Sequence, residues 1–297
     1  MIWQVFAISG CGAPRILSPW LSGGPAPMIL FPEFHQRYGP WAIVAGASEG
    51  IGQAYAHVLA ERGLNLVTLA RRIEVLEQDA QLIRRRHRVE VRPVSVDLAA
   101  PDLAQQIDAA TAGLDIGLGI YNACYSRIAD FTDVALDDHQ RMLDVNCRGP
   151  LILAQRLGPR LVARKRGGLL LMSSMSGFQG SALIATYAAT KAFNITLAES
   201  LWTELKPHGV DVIACVAGAT LTPGFESYTP EAKRGKAFPM RADAVAREGL
   251  AALGKGPIHI AGRLNRLVNG VTRFMSHRQR TNFFSNATRS IYGSSES

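Results

Sequence analysis

Tyr187 and Lys191, four residues apart, and Ser174, thirteen residues before the tyrosine, bring together a phenol, an ammonium and a hydroxyl. On a helix, positions i and i+4 lie one turn above each other, so the Tyr187 ring and the Lys191 amine would share a face. A free tyrosine titrates near about 10 and carries protons poorly at neutral pH. A cation at about 4 Å in a half-buried site contributes roughly 4 kcal/mol, about three pK units at most. The pairing therefore predicts a Tyr187 pKa lowered toward the working pH, where proton transfer is most efficient. Ser174 would be a hydrogen-bond donor to an oxygen on which charge develops. The chemistry indicated is proton transfer to or from a carbonyl oxygen.

A second constellation lies far upstream. The apolar run 42–45 leads into Gly46-Ala47-Ser48-Glu49-Gly50-Ile51-Gly52 and then into an amphipathic stretch, 53–60. The pattern reads as strand, glycine turn and helix start. Glycines at 46, 50 and 52 permit a tight turn, close approach of backbone to a pyrophosphate, and close helix packing, and the helix N-terminus offers oriented N–H donors.

Taken in order, Gly46-x-x-x-Gly50-Ile51-Gly52, Asn122, Asn146, Ser174 and Tyr187-x-x-x-Lys191 resemble the short-chain dehydrogenase/reductase family over about residues 40–225. With Tyr55 after the turn and the 65–71 segment, the text is most similar to the branch of 17β-hydroxysteroid dehydrogenases and very-long-chain 3-oxoacyl reductases. The resemblance implies hydride transfer between a nicotinamide and a carbonyl carbon. Tyr187 would be the general acid or base, Ser174 the stabiliser of the oxygen, and Lys191 the ligand of the nicotinamide ribose and the group that lowers the tyrosine pKa. Asn146 would hold a water that relays protons to Lys191. It further implies that Asp97-Leu98 meets the adenine, that Asn122-Ala123 packs on the adenosine, that Gly218 lies beside the nicotinamide, and that Thr222 meets its carboxamide or the phosphates. Departures from the family pattern are Ala45, Cys124 and Ala217, where threonine, glycine and proline are usual. His139 and His208 match no role and read as surface or packing residues.

A dinucleotide site for NAD(H) wants a carboxylate about 20 residues beyond the glycine turn. Here Ala70-Arg71-Arg72 stands instead, which removes repulsion against a 2′-phosphate and supplies guanidinium donors for it. NADP(H) is therefore expected over NAD(H), the bland alternative being that both arginines merely start a surface helix.

Those residues need a scaffold, and short β-rich runs alternating with helical patterns predict a doubly wound, Rossmann-like α/β sheet of about seven parallel strands with helices on both faces. Candidate strands are 41–45, 65–69, 89–96, 116–121, 168–172, 211–216 and 257–260. Candidate helices are 73–86, 101–112, 137–146, 151–164, 185–205 and 242–253. One catalytic domain is expected over 39–262, with an irregular N-terminal extension at 1–38 and a helical extension with a disordered tail at 263–297. Because Met28 directly precedes the family-like start, residues 1–27 are expected to be an appendage. Residues 222–241, rich in proline and glycine with Phe225, Tyr228 and Phe238 between, suit a mobile lid rather than a regular element.

Segments 127–131 and 177–183, with the lid, would wall the substrate pocket at the carboxyl ends of the strands. Phe178, Leu183, Ile184 and Phe225 make it apolar, which suits a hydrophobic ketone or alcohol, fatty-acyl or steroid-like. The competing class is an NADP(H)-binding sensor or scaffold without turnover. Leu264, Leu267, Val268, Val271, Phe274 and Met275 recur at helical spacing among arginines, and would cap the pocket, pack on a second subunit or touch an anionic membrane, packing being favoured over membrane.

The net charge is +8 with pI ≈ 9.6. Its arginines fall in separate groups rather than on one aromatic-interleaved stripe, so nucleic acid is not the expected partner. Cys11, Cys124, Cys147 and Cys215 have no metal-ligand spacing, and no metal is expected. Free thiols fit a reducing, cytoplasmic setting. The N-terminal apolar stretches are too short to span a bilayer. By family habit a homodimer or homotetramer is expected, with 151–164 and 185–205 as contact helices.

Overall fold

The computed structural model describes residues 31–293. The expectations for residues 1–27, Cys11 and the 294–297 tail lie outside that range. Nine strands are present among the described residues: β1 Trp41–Ala45, β2 Asn65–Ala70, β3 Val91–Ser95, β4 Ile116–Tyr121, β5 Gly167–Ser174, β6 Val210–Ala217, β7 Thr220–Leu221, β8 Met240–Arg241 and β9 Ile258–Ile260. Seven form one parallel sheet in the order β3-β2-β1-β4-β5-β6-β9, and β7 pairs with β8.

The strand sequences explain the sheet. β4 and β5 are near-continuous apolar runs, buried along almost their whole length, as strands covered on both faces must be. Successive side chains alternate faces. In β1, Ala42 and Val44 join one core while Ile43 and Ala45 join the other.

Helices supply the two covers. On the Val44 side, α1 Pro32–Tyr38, α2 Gly50–Glu61, α3 Ile73–His87 and, in chain order below, α10 Ala242–Ala252 contribute Tyr38, Tyr55, Leu59, Ile83 and Leu250. On the Ile43 side, α4 Leu103–Ala110, α6 Gly149–Arg164 and α7 Ala185–Leu205 contribute Ile107, Leu153 and Ile195. The chain also forms α5 Leu136–Leu143, α8 Pro223–Tyr228, α9 Glu231–Arg234, α11 Arg263–Thr272 and α12 His277–Tyr292. Strand order reverses between β1 and β4, and such a switch point opens a crevice at the carboxyl ends of the strands.

Three local expectations need correction. Residues 1–38 are not irregular throughout, because 32–38 fold as α1. Proline opens that helix, Phe34 packs on Tyr38, and the buried Tyr38 hydroxyl donates to Asp211 at 2.6 Å. The helix expected at 137–146 is α5 followed by a widened π-helical turn, Asp144–Arg148, which runs into α6. The 222–241 segment is not without regular structure: Thr222 caps α8 by accepting from Phe225 N at 3.1 Å, Pro223 takes the first helical position, and α9 follows.

Candidate active site

The crevice at the switch point is a cleft of about 970 Å³. Its floor is the glycine turn. Gly46 has φ 83° and its N–H donates to the Leu69 carbonyl at 2.8 Å, so the turn is pinned to β2. Its carbonyl accepts from Asn122 Nδ2 at 3.0 Å. A Cβ on Gly52 would overlap that same carbonyl, and one on Gly46 would overlap Ala123. Gly50, at φ 60°, opens α2 against Thr222. No side chain caps α2, so its first-turn N–H groups are left to an external acceptor, and an anionic phosphate fits that polarity.

Ser48, Glu49, Ile51, Arg71, Arg72, Asp97, Leu98, Asn122, Ala123, Gly218 and Thr222 line this cleft with the glycines, save Gly52, which packs beneath. Two details depart from expectation. Arg72 is ion-paired with Glu49 and reaches Ser48 Oγ at 3.4 Å, so of these two arginines Arg71 alone makes no ion pair with a described residue. Asp97 holds Arg141 at 3.1 Å and accepts from Ala99 N at 3.0 Å. Burial opposes its ionisation, but the Ala99 N–H and the Arg141 guanidinium hold its pKa below the ordinary value. Its carboxylate, expected to meet the adenine, is thus already partnered.

At the far end, β5 delivers Ser174 and the first turn of α7 delivers Tyr187. Ser174 Oγ accepts from Ser176 Oγ at 2.8 Å and Ser176 N at 3.3 Å, which leaves its own proton free to donate. Lys191 is 4% exposed. Its Nζ donates to the Met172 carbonyl at 3.3 Å and sits 5.6 Å from the Tyr187 ring centroid. Ser173 Oγ ties the Lys191 carbonyl at 2.7 Å, fixing α7 to β5.

That arrangement reverses the expected tyrosine shift. Tyr187 lines the cleft and is half-buried, and burial pushes its pKa above the ordinary value; the Cys124 thiol adds to this and the Ser174 hydroxyl works against it. Lys191 stands over the ring and is held by a carbonyl, so it does not offset the burial.

Asn146 is fully buried in the π-helical turn. Its Oδ1 accepts from Tyr125 N at 2.8 Å, and its Nδ2 donates to the Tyr125 carbonyl at 2.8 Å and to Thr190 Oγ1 at 3.1 Å. Its carbonyl accepts from Asn194 Nδ2 at 3.0 Å. Backbone and side chain were both expected to hold a relay water; here the side chain braces the Tyr125 backbone, and one lone pair remains on Oδ1 and one on the backbone carbonyl. Tyr125, Thr190 and Asn194 went unnoticed in the sequence; the i, i+3, i+7 spacing of 187, 190 and 194 on one helix face was the available signal.

His139 is a packing residue: Nδ1 pairs with Thr186 Oγ1 at 2.8 Å and its ring stacks on Phe131. His208 lies exposed in the turn after α7. The tyrosine end of the cleft is walled by Met175, Ile184, Phe225 and Tyr228, whereas Phe178 and Leu183 do not line it. Its roof is the C-terminal extension, where Asn265 and Val268 of α11 and Phe284, Thr288 and Ile291 of α12 face inward. The roof is bolted down by Ser181 Oγ to Thr288 Oγ1 at 2.7 Å, Ala182 N to Ser285 Oγ at 3.0 Å and Lys233 Nζ to the Gly293 carbonyl at 2.8 Å. Of the three uses expected for this segment, its inner face caps the pocket.

Comparison with known proteins agrees with this geometry. A family profile described as short chain dehydrogenase matches residues 40–233. A 7β-hydroxysteroid dehydrogenase of Clostridium sardiniense is 35% identical over 233 residues, 78% of this chain and 89% of that protein. A solved structure concerned with 7β-hydroxysteroid dehydrogenase stereoselectivity superposes with TM-score 0.80 at 30% identity, covering 84% of this chain and 98% of that one. A short-chain dehydrogenase from Sphingobium yanoikuyae in complex with NADPH superposes with TM-score 0.68 at 27% identity, covering 80% and 97%.

Proposed function

Because the chain belongs to the short-chain dehydrogenase family and is an oxidoreductase of that family, we propose that it interconverts a carbonyl and a secondary alcohol on a hydrophobic, hydroxysteroid-like substrate, using NADP(H). The observation that carries this reading is the convergence of Ser174, Tyr187 and Lys191 in one cleft with the glycine turn at its other end.

A nicotinamide dinucleotide fits the residues present: a turn where side chains would clash, uncapped helix donors, and a guanidinium at Arg71 with no carboxylate partner among the described residues. Gly46, Ser48, Gly50, Ile51 and the N-terminus of α2 would hold its pyrophosphate, with Gly52 keeping the helix close beneath. Arg71 would take the 2′-phosphate, Leu98 and Asn122 would flank the adenosine, and Gly218 and Thr222 the nicotinamide end. When bound, the reduced nicotinamide supplies hydride to the carbonyl carbon.

The protein's own work is on the oxygen. Ser174 donates its free hydroxyl to the carbonyl oxygen and stabilises the charge that develops there, a role in which one preorganised donor is worth about 3 kcal/mol. Tyr187 gives that oxygen its proton. The phenol is protonated at neutral pH, the form an acid requires. Lys191 would lend its ammonium to the ribose hydroxyls, and Asn146 positions Tyr125 and α7 around Tyr187 and Lys191.

Steady-state consumption of NADPH with ketosteroids, 3-oxoacyl thioesters, aldehydes and quinones tests the reading, using a deuterium label on the nicotinamide. The expected result is label on the carbinol carbon of a ketosteroid product. Tight NADPH binding without turnover on any carbonyl would make the chain the sensor or scaffold of the competing reading.

A further inference from the structure

The roof over the cleft has an outer face that the reaction does not use. Leu264, Leu267 and Val271 recur at the i, i+3, i+7 spacing of one face of α11, and Phe274 follows in the turn after that helix. They are 46%, 63%, 56% and 89% exposed. Phe283 of α12 is exposed as well. Their neighbours are cationic: residues 263–292 contain Arg263, Arg266, Arg273, Arg278, Arg280 and Arg289 and no aspartate or glutamate. Arg266 is paired with Glu248 of α10, and Arg280 donates to Asn269. Arg263, Arg273, Arg278 and Arg289 are exposed and make no ion pair among the described residues.

We propose that this outer face docks the protein on an anionic lipid bilayer. A stripe of large apolar side chains at a helix surface, bordered by arginines and free of carboxylates, matches the composition of helices that lie in the plane of a membrane with their apolar side in the headgroup boundary. No described helix is long and apolar enough to cross a membrane, so the contact is peripheral. Charge selects lipid over a second copy of the chain. In a two-fold contact the patch would meet itself, setting arginine against arginine with no acidic residue between. An anionic leaflet supplies the missing counter-charge.

Docking in this orientation sets the inner face of the same two helices, which roofs the cleft, next to the phase in which a hydrophobic substrate dissolves. That consequence rests on the function proposed above; the docking does not.

Cosedimentation of the full chain with vesicles of phosphatidylcholine alone, or mixed with phosphatidylglycerol, tests it. Binding is expected only to the anionic vesicles and falls as salt rises. Arg263→Gln with Arg273→Gln weakens partition about twenty-five-fold, each arginine near such a surface being worth roughly fivefold. Leu267→Ser with Phe274→Ser weakens it at least tenfold, a rough lower value for withdrawing two large apolar groups. Both variants keep wild-type melting temperature and NADPH affinity, since none of the four side chains lines the cleft. The inference is overturned if the anionic vesicles bind no protein, if both variants bind as wild type, or if the apolar variant splits a dimer while vesicle partition stays unchanged. Vesicle binding is read without turnover, so failure on every steroid would sink the proposed substrate and leave the docking standing.

Discussion

Arg71, Arg72 and Glu49 form a charge arrangement in which two substitutions should move cofactor preference in opposite directions. Arg71 has no ion-pair partner among the described residues, whereas the Arg72 guanidinium is bound by Glu49. A charge-assisted contact to phosphate is worth about 1.5–3 kcal/mol. Because Arg71 is exposed, the lower value applies, so Arg71→Ala should reduce kcat/KM for NADPH about tenfold. NADH has no 2′-phosphate and should change by less than about twofold. Glu49→Gln removes a negative charge from the same end of the cleft and releases Arg72. At roughly 1 kcal/mol for a screened exposed charge, the NADPH-to-NADH ratio should rise about fivefold. The assay is initial velocity against each cofactor at a fixed saturating ketone. An equal fall for both cofactors in Arg71→Ala would show that Arg71 supports the turn rather than reading the phosphate. A lower ratio in Glu49→Gln would show that the Glu49–Arg72 pair is itself part of the site's structure.

Other outcomes follow from the same geometry. Gly52→Ala sets a methyl against the Gly46 carbonyl, so isothermal titration should show NADPH affinity lost by about a hundredfold or more as the turn moves. Ile291→Ala empties part of the roof, and KM for a ketosteroid should rise about tenfold at nearly constant kcat, as uniform binding is lost. Acid stability should depend on Glu248. Burial opposes its charge, but the Gly262 N–H, Arg266 and His259 hold its pKa below the ordinary value. A carboxylate with a depressed folded-state pKa stabilises the fold above its unfolded pKa and loses that contribution as pH falls through the folded value. Melting temperature should therefore drop below about pH 4.5, and Glu248→Gln should flatten that drop; an unchanged acid limb would discount the carboxylate's role.

Much of the scaffold was legible because parallel strands buried on both faces announce themselves as apolar runs. The bounds expected for 41–45 and 116–121 are those of β1 and β4, and the long helix at 185–205 is α7. The glycine turn was readable because its three glycines each answer a steric demand that the neighbours impose. What stayed hidden depended on partners distant in sequence. The shift at Tyr187 is set by burial and by where Met172 holds the Lys191 amine, and neither is a matter of i, i+4 spacing. The engagement of Arg72 by Glu49 joins residues on either side of β2. Thr222 and Pro223 carried the signal for α8, but the proline and glycine content of the segment outweighed it. The inward positions of α12, with Phe284, Ala287, Thr288 and Ile291 at helical spacing, were readable as one face, but which surface they covered was not.

A single substitution separates acid catalysis from mere binding. Tyr187→Phe keeps the ring and removes only the proton carrier. With a ketosteroid and saturating NADPH, kcat/KM should fall about a thousandfold while NADPH affinity stays as in the parent chain. Turnover within about threefold of the parent, or a parallel loss of NADPH affinity, would contradict the assignment of Tyr187 as the proton donor.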